Sequence, residues 1–96
     1  MNLYHVECAE VTCLNVFASD AERAGFLAKI YLEFNYAEGV KYNVGDAIDP
    51  MQLDRRSREF LMGALARNTE GLAVFVEGRG WLITPTWSHA FPTKQV

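Results

Sequence analysis

The strongest constraint in this sequence is an apolar run that ends in a glycine-rich turn and is followed by a second apolar run. Residues 72–76 are apolar at every position, which is typical of a strand in the interior of a sheet. Gly78-Arg79-Gly80 follows, and glycine supplies the positive φ angles that tight hairpin loops need. Residues 81–84 predict the return strand, and Pro85 ends its pairing because it has no N–H to donate.

Two helices are predicted ahead of this hairpin. Ser19 and Glu22 have the spacing of a capping box, so we expect a first helix from about residue 20 to residue 34. Its apolar residues recur at steps of three and four, which gives one apolar stripe. Asp49 fits the N-cap and Pro50 the first position of a second helix that runs to about residue 67. Asn68 can then close that helix in the left-handed conformation.

The remaining segments predict strands. Residues 3–17 are rich in β-forming side chains, and Ala9-Glu10 is poor chemistry for a tight turn. We therefore favour one long strand with a bulge at Ala9-Glu10, and two short strands stay open as the alternative. Residues 40–44 alternate between apolar and polar, as a half-buried strand does.

The order strand, helix, strand, helix, strand, strand predicts the α+β class. We expect a single-domain, two-layer sandwich of about four mainly antiparallel strands, with both helices on one face of the sheet. Residues 1–96 fit one compact domain, and residues 86–96 form its C-terminal tail. The longest apolar run is far shorter than the roughly 20 residues that cross a bilayer, and the N-terminus lacks the pattern of a signal peptide. We therefore expect a cytoplasmic protein with no membrane partner.

The charges are distributed unevenly along the chain. The net charge is −3, which argues against nucleic acid as a partner. Residues 1–49 hold eight acids and three bases, whereas residues 50–96 hold six bases and four acids. Most of the basic excess lies in Asp54-Arg55-Arg56-Ser57-Arg58. An acidic face opposite a small basic patch follows if the fold keeps these segments apart.

A metal site has the right ligand types but the wrong spacing. Structural zinc sites combine two closely spaced cysteines with a second close pair of ligands. Here the possible ligands besides Cys8 and Cys13 are His5 and the distant His89, which do not form such a pair. We therefore predict no metal and no cofactor. On one regular strand the odd separation of Cys8 and Cys13 would place them on opposite faces, so we expect two buried free thiols.

No catalytic residue is predicted. The sequence lacks a nucleophile elbow, and Ser88 is adjacent to His89, which does not allow an easy base–nucleophile pair. Four carboxylates surround one loop without the spacing of a calcium site: Glu38, Asp46, Asp49 and Asp54. These failures favour a protein that is not an enzyme. The alternative is a small enzyme or ligand-binding domain that uses His5 or His89 with a carboxylate between helix and sheet.

Arginines and surplus aromatic residues point to a binding function. Tryptophan, tyrosine and arginine are enriched at binding hot spots. The candidate binding residues are Arg55, Arg56, Arg58, Trp81, Trp87 and Phe91. The alternatives are that the arginines form a solvated face and that the tail buries Trp87 and Phe91.

The predicted function is binding to another macromolecule, with a protein as the expected partner and a homodimer as a further expectation. Small acidic domains without catalytic motifs are common among phage and mobile-element inhibitors, including anti-CRISPR proteins. This chain has the size and the charge of that class. The analogy extends to no motif.

Overall fold

One antiparallel sheet organises the chain, for which the computed structural model describes residues 1–9 and 13–85. Within these residues the sheet has five strands, in the spatial order β3-β1-β2-β4-β5, and two α-helices pack on it. The elements are β1 (Asn2–Cys8), β2 (Leu14–Ala18), α1 (Ala21–Asn35), β3 (Tyr42–Ala47), a 3₁₀ helix (Pro50–Gln52), α2 (Arg55–Ala66), β4 (Gly71–Val76) and β5 (Gly80–Pro85). The predicted α+β class is confirmed, with one strand more than expected.

The two helices lie on opposite faces of the sheet, whereas the sequence predicted both on one face. On β1, Tyr4 belongs to the core packed by α1, and its neighbour Leu3 belongs to the core packed by α2. Successive strand residues point to opposite faces, so these cores lie on the two sides of the sheet. The α1 core contains Tyr4, Val6, Val16, Ala18, Ala24, Leu27 and Ala28, and the α2 core contains Leu3, Phe17, Leu61, Ala64 and Ala73.

The N-terminal segment forms a hairpin rather than one long strand. Leu3 pairs with Phe17 and Val6 with Leu14, so β1 and β2 run antiparallel side by side. The prediction of a single bulged strand was therefore wrong, and the alternative of two short strands is correct. Adjacent apolar residues such as Val16 and Phe17 signal burial on both faces of this pair.

The helix starts differ from the sequence prediction because another cap is used in each case. The carboxylate of Asp20, not the hydroxyl of Ser19, accepts the N–H of Arg23 at 2.8 Å and caps α1. The second predicted helix is divided. Asp49 caps only the 3₁₀ helix, and Asp54 caps α2 by accepting the N–H of Ser57 at 2.8 Å. Asn68 has the predicted left-handed conformation after α2, with φ of 50°.

The sheet is only partly covered on each face. Within the described residues, α1 packs over β3, β1 and β2, while α2 packs against β5 from the other side. Beyond α1 the hairpin therefore presents an apolar strip, called here the open face and formed by Leu72, Val74, Val76, Leu82 and Thr84. β4 has the predicted interior position in the sheet, yet its Val74 is 64% exposed. No helix of the described residues is long and apolar enough to span a membrane.

Two glycine substitutions test this packing. We expect Gly71→Ala to lower the free energy of unfolding by about 2 kcal/mol or more, because the new Cβ would overlap the backbone oxygen of Thr84. Gly25→Ala in α1 is the matched control. Its Cβ would meet Val44 Cγ2 at 3.4 Å, an ordinary contact, so helix propensity should stabilise it by up to ~1 kcal/mol. Urea unfolding measures the free energy of unfolding of both variants. A Gly71→Ala protein as stable as wild type would contradict the β4–β5 pairing.

Candidate protein-binding site

A shallow groove lies where α2 meets the turn of the β4–β5 hairpin. Its volume is about 150 Å³, and we call it the hairpin groove. Phe60 of α2 and Phe75 of β4 are its aromatic lining, and charged side chains flank them. The lining residues are Asp54, Arg56, Ser57, Phe60, Phe75, Glu77 and Gly78.

Aromatic contacts connect this groove to the core. The ring centroids of Phe60 and Phe75 are 5.7 Å apart, those of Phe75 and Trp81 are 5.2 Å apart, and both pairs meet edge to face. Trp81 in turn contacts the fully buried Phe17 at 5.7 Å. Such pairs contribute roughly 0.5–1.5 kcal/mol each beyond their buried area. A continuous series of aromatic contacts therefore connects the groove to the buried Phe17, although Phe75 itself is 40% exposed.

Glycine at position 80 brings the helix close to the hairpin. Gly80 has a φ of +92°, and a Cβ there would lie 2.7 Å from Cδ1 of Phe60. The Phe60 ring therefore packs directly on the backbone of β5. On the same flank of α2, Arg67 donates from Nη2 to the backbone oxygen of Trp81 at 2.7 Å. These contacts fix the angle between the helix and the hairpin, and so the shape of the groove.

Arg56 is the predicted binding arginine that lines the groove. Its guanidinium carbon lies 5.7 Å from the centroid of the Phe60 ring, a cation–π arrangement. Arg55 is exposed and pairs with Glu59 at 3.3 Å, away from the lining. Arg58 donates to the backbone oxygens of Pro50 and Leu53 and so ties the 3₁₀ helix to α2. A partner contact by Arg55 or Arg58 stays a prediction.

The aromatic candidates divide in a similar way. Trp81 is half-buried and supports the groove from below through Phe75. Trp87 and Phe91 lie outside the described residues. The predicted binding residues did not include Phe60 or Phe75, because apolar positions in a helix and in an interior strand indicate core. The spacing of Arg56 and Phe60, four apart on one helix, is the signal that could have identified Phe60.

Asp54 positions the groove side of α2. Its carboxylate accepts the N–H of Ser57 at 2.8 Å and the Ser57 hydroxyl at 3.2 Å. These bonds to the charged form lower the pKa of Asp54 below its usual value. The cap thereby starts α2 where Arg56 and Phe60 fall on the flank facing the hairpin.

A second cleft, of about 430 Å³, lies between the end of α1 and the start of β3. Its size suits a small molecule. Lys29 and Lys41 line it, and Lys29 pairs with Glu33 at 3.9 Å. His5 does not line this cleft: it is exposed, with Nδ1 at 3.1 Å from Oδ1 of Asn15. The hydrogen-bond partner of His5 is therefore an amide and not the carboxylate that the alternative function requires, and His89 lies outside the described residues.

The two cysteines are free thiols in unequal environments. Cys8 is half-buried on β1, whereas Cys13 is exposed, so the expectation of two buried thiols was wrong for Cys13. The cause is that Cys13 precedes β2 instead of continuing a long strand. Burial raises the pKa of Cys8, and the nearby Cys13 adds to that effect. In residues 1–9 and 13–85, no three His, Cys, Asp or Glu side chains come together as a metal site would need.

Comparisons of this chain with protein-family models, curated proteins and solved structures find no match. The hairpin groove has a packed aromatic lining, an arginine over the Phe60 ring, and carboxylates beside it. Arginine and aromatic side chains are enriched at protein-binding interfaces.

The pH dependence of folding tests the role of Asp54. Because its pKa is lowered in the fold, its stabilisation is present above the unfolded value of about 3.9 and is lost as the pH falls through the folded value. Asp54→Asn keeps a capping oxygen without this titration. We expect wild type to be the more stable at neutral pH, with the difference shrinking below about pH 4 in urea unfolding. A difference that does not change with pH would contradict this role.

Proposed function

We propose that this chain is a non-enzymatic interaction protein that binds a protein partner at the hairpin groove. The observation that supports this most directly is the pair of half-buried Phe60 and exposed Phe75, with the Arg56 guanidinium over the Phe60 ring. Phenylalanine and arginine are both enriched at protein interfaces, and arginine is enriched among hot-spot residues. The shared packing of these three side chains means that little side-chain entropy remains to be lost on binding.

The charges around the groove define the partner's chemistry. Arg56 offers a cation, and Asp54 and Glu77 offer carboxylates next to the aromatic lining. The partner surface that fits would place an apolar or aromatic side chain against the exposed part of the Phe60–Phe75 pair. Charged groups around that side chain would then meet charges of opposite sign, which favours specificity and fast association. The net charge of −3 further favours protein over nucleic acid.

The narrower form of this proposal is an inhibitor that covers a surface on its target. Its support is the small size of 96 residues, the acidic balance, and the placement of the surplus aromatics at a groove. Inhibitors of phage or mobile-element origin, such as anti-CRISPR proteins, share that size and charge, and this remains an analogy. The free and exposed thiol of Cys13 fits a reducing compartment, so we propose cytoplasmic action.

Affinity purification of the full chain from its native host, followed by mass spectrometry, tests the proposal. We expect a recovered protein partner whose affinity falls at least about tenfold with Arg56→Glu or Phe75→Ala, the loss typical of a hot-spot residue. Arg55→Glu is the matched control, because it reverses the same charge one residue away and outside the groove. Thermal unfolding of Arg56→Glu should stay close to wild type, since Arg56 is exposed.

Three results would count against the groove. The first is equal weakening by Arg55→Glu and Arg56→Glu, which would point to the overall charge of α2. The second is loss of the partner in Trp87→Ala with Phe75→Ala unaffected, which would move the site to residues 86–96. The third is a purified chain that carries a small molecule and recovers no protein, which would favour the 430 Å³ cleft and a ligand-binding function.

A further inference from the structure

The open face continues into one flank of α1. Arg23 of α1 donates from Nε and Nη2 to the carboxylate of Glu70, each at 2.8 Å, and Glu70 directly precedes β4. This flank of α1 therefore faces β4. Phe26, Ile30 and Phe34 follow Arg23 at steps of three and four, so they share its side of the helix.

A stepped apolar surface results, which we call the apolar recess. The open face is its floor, and the flank formed by Phe26, Ile30 and Phe34 is its wall. α1 returns from the end of β2, and β4 is antiparallel to β2, so the wall and the floor run in the same direction. All eight residues of the recess are uncharged. The ion pair Arg23–Glu70, which borders it, joins its two charges at 2.8 Å.

The recess exposes a substantial apolar area. Phe26 is 49% exposed and Phe34 57%, and in the floor Leu82 is 54% exposed. With Val74, these side chains leave on the order of 400 Å² of apolar surface in water, the size of the largest patch on a typical monomer, which is often functional. A standard interface buries about 800 Å² per partner and is slightly more than half apolar. The recess therefore supplies about the apolar area that a stable dimer needs.

We propose that the apolar recess is the interface of a two-fold homodimer. The wall stands about 10–12 Å above the floor, which is the diameter of one helix. This height matches the spacing of about 10 Å between two sheets packed face to face. A second copy laid floor to floor thus places its sheet in the layer beside α1. Its own α1 then lies beside the edge of β5 in the first copy. The shape is self-complementary, as a two-fold interface requires.

Electrostatics favours a second copy over a different partner. The eight residues of the recess carry no charge, and the Arg23 guanidinium that lies over the Phe26 ring is paired with Glu70. A second copy brings an uncharged surface of the same step and area. The hairpin groove is on the opposite side of the sheet, because Phe75 and Val74 are neighbours on β4. Dimerisation therefore leaves both grooves accessible, and this proposal stands independently of the proposed function.

Sedimentation velocity of the full chain across a dilution series tests the dimer. Wild type should sediment at twice the chain mass of 10.8 kDa. Val74→Glu and Leu82→Glu should weaken dimerisation by at least about a hundredfold, because the two-fold axis buries each new charge twice. Met62→Glu is the matched control: Met62 is 52% exposed, lies on α2 outside the recess, and should leave the dimer intact.

Specific results would overturn the proposal. A wild-type protein that is monomeric at every concentration would overturn the proposal. If Leu82→Glu also lowered the melting temperature of that monomer, residues 86–96 of the same chain would be indicated as the cover of the recess. A dimer that withstands both Val74→Glu and Leu82→Glu has its interface elsewhere, which also overturns it. A dimer that Arg56→Glu abolishes would place the interface at the groove. The combination expected is loss of the dimer in the recess variants and retention in Arg56→Glu.

Discussion

The two-sided apolar character of β1 and β2 is the constraint from which the rest of the structure follows. Tyr4 and Val16 need cover on one face of the sheet, and Leu3 and Phe17 need cover on the other. The described chain has one α-helix for each face, and a single helix is too narrow to cover five strands. Both helices overlap the central strands, and part of each sheet face is left without a helix from the described residues.

The two uncovered parts differ in polarity. On the α2 side, the uncovered part of β1 shows the polar residues His5 and Glu7, which water can solvate. On the α1 side, the uncovered part is the open face, where exposed Val74 and Leu82 meet water. A protein with no use for this face could have placed polar residues there at little cost to its fold. These exposed apolar residues motivate the proposed dimer interface.

Local signals predicted local structure, and the failures lie where distant residues decide. The hairpin, α1 and the left-handed Asn68 follow from glycine, capping and periodicity within a few residues. The side of the sheet on which α2 packs depends on how β1 pairs with β2. The pattern of apolar residues within either segment does not predict that pairing. Likewise, the three neighbouring arginines at the start of α2 have different surroundings. Arg58 donates to backbone oxygens of the 3₁₀ segment, whereas Arg56 lines the groove, and the sequence around them does not distinguish the two.

Both proposed binding surfaces lie on the β4–β5 hairpin. β4 is an interior strand and β5 an edge strand, and one helix lies beside the hairpin on each face of the sheet. Phe75 points to the groove and its neighbour Val74 to the open face, so a single strand displays two surfaces of different chemistry. In the proposed dimer the open faces are internal and the grooves lie on the two outer sides. A partner with two copies of its own binding surface would then gain affinity from simultaneous engagement, without any new contact at either groove.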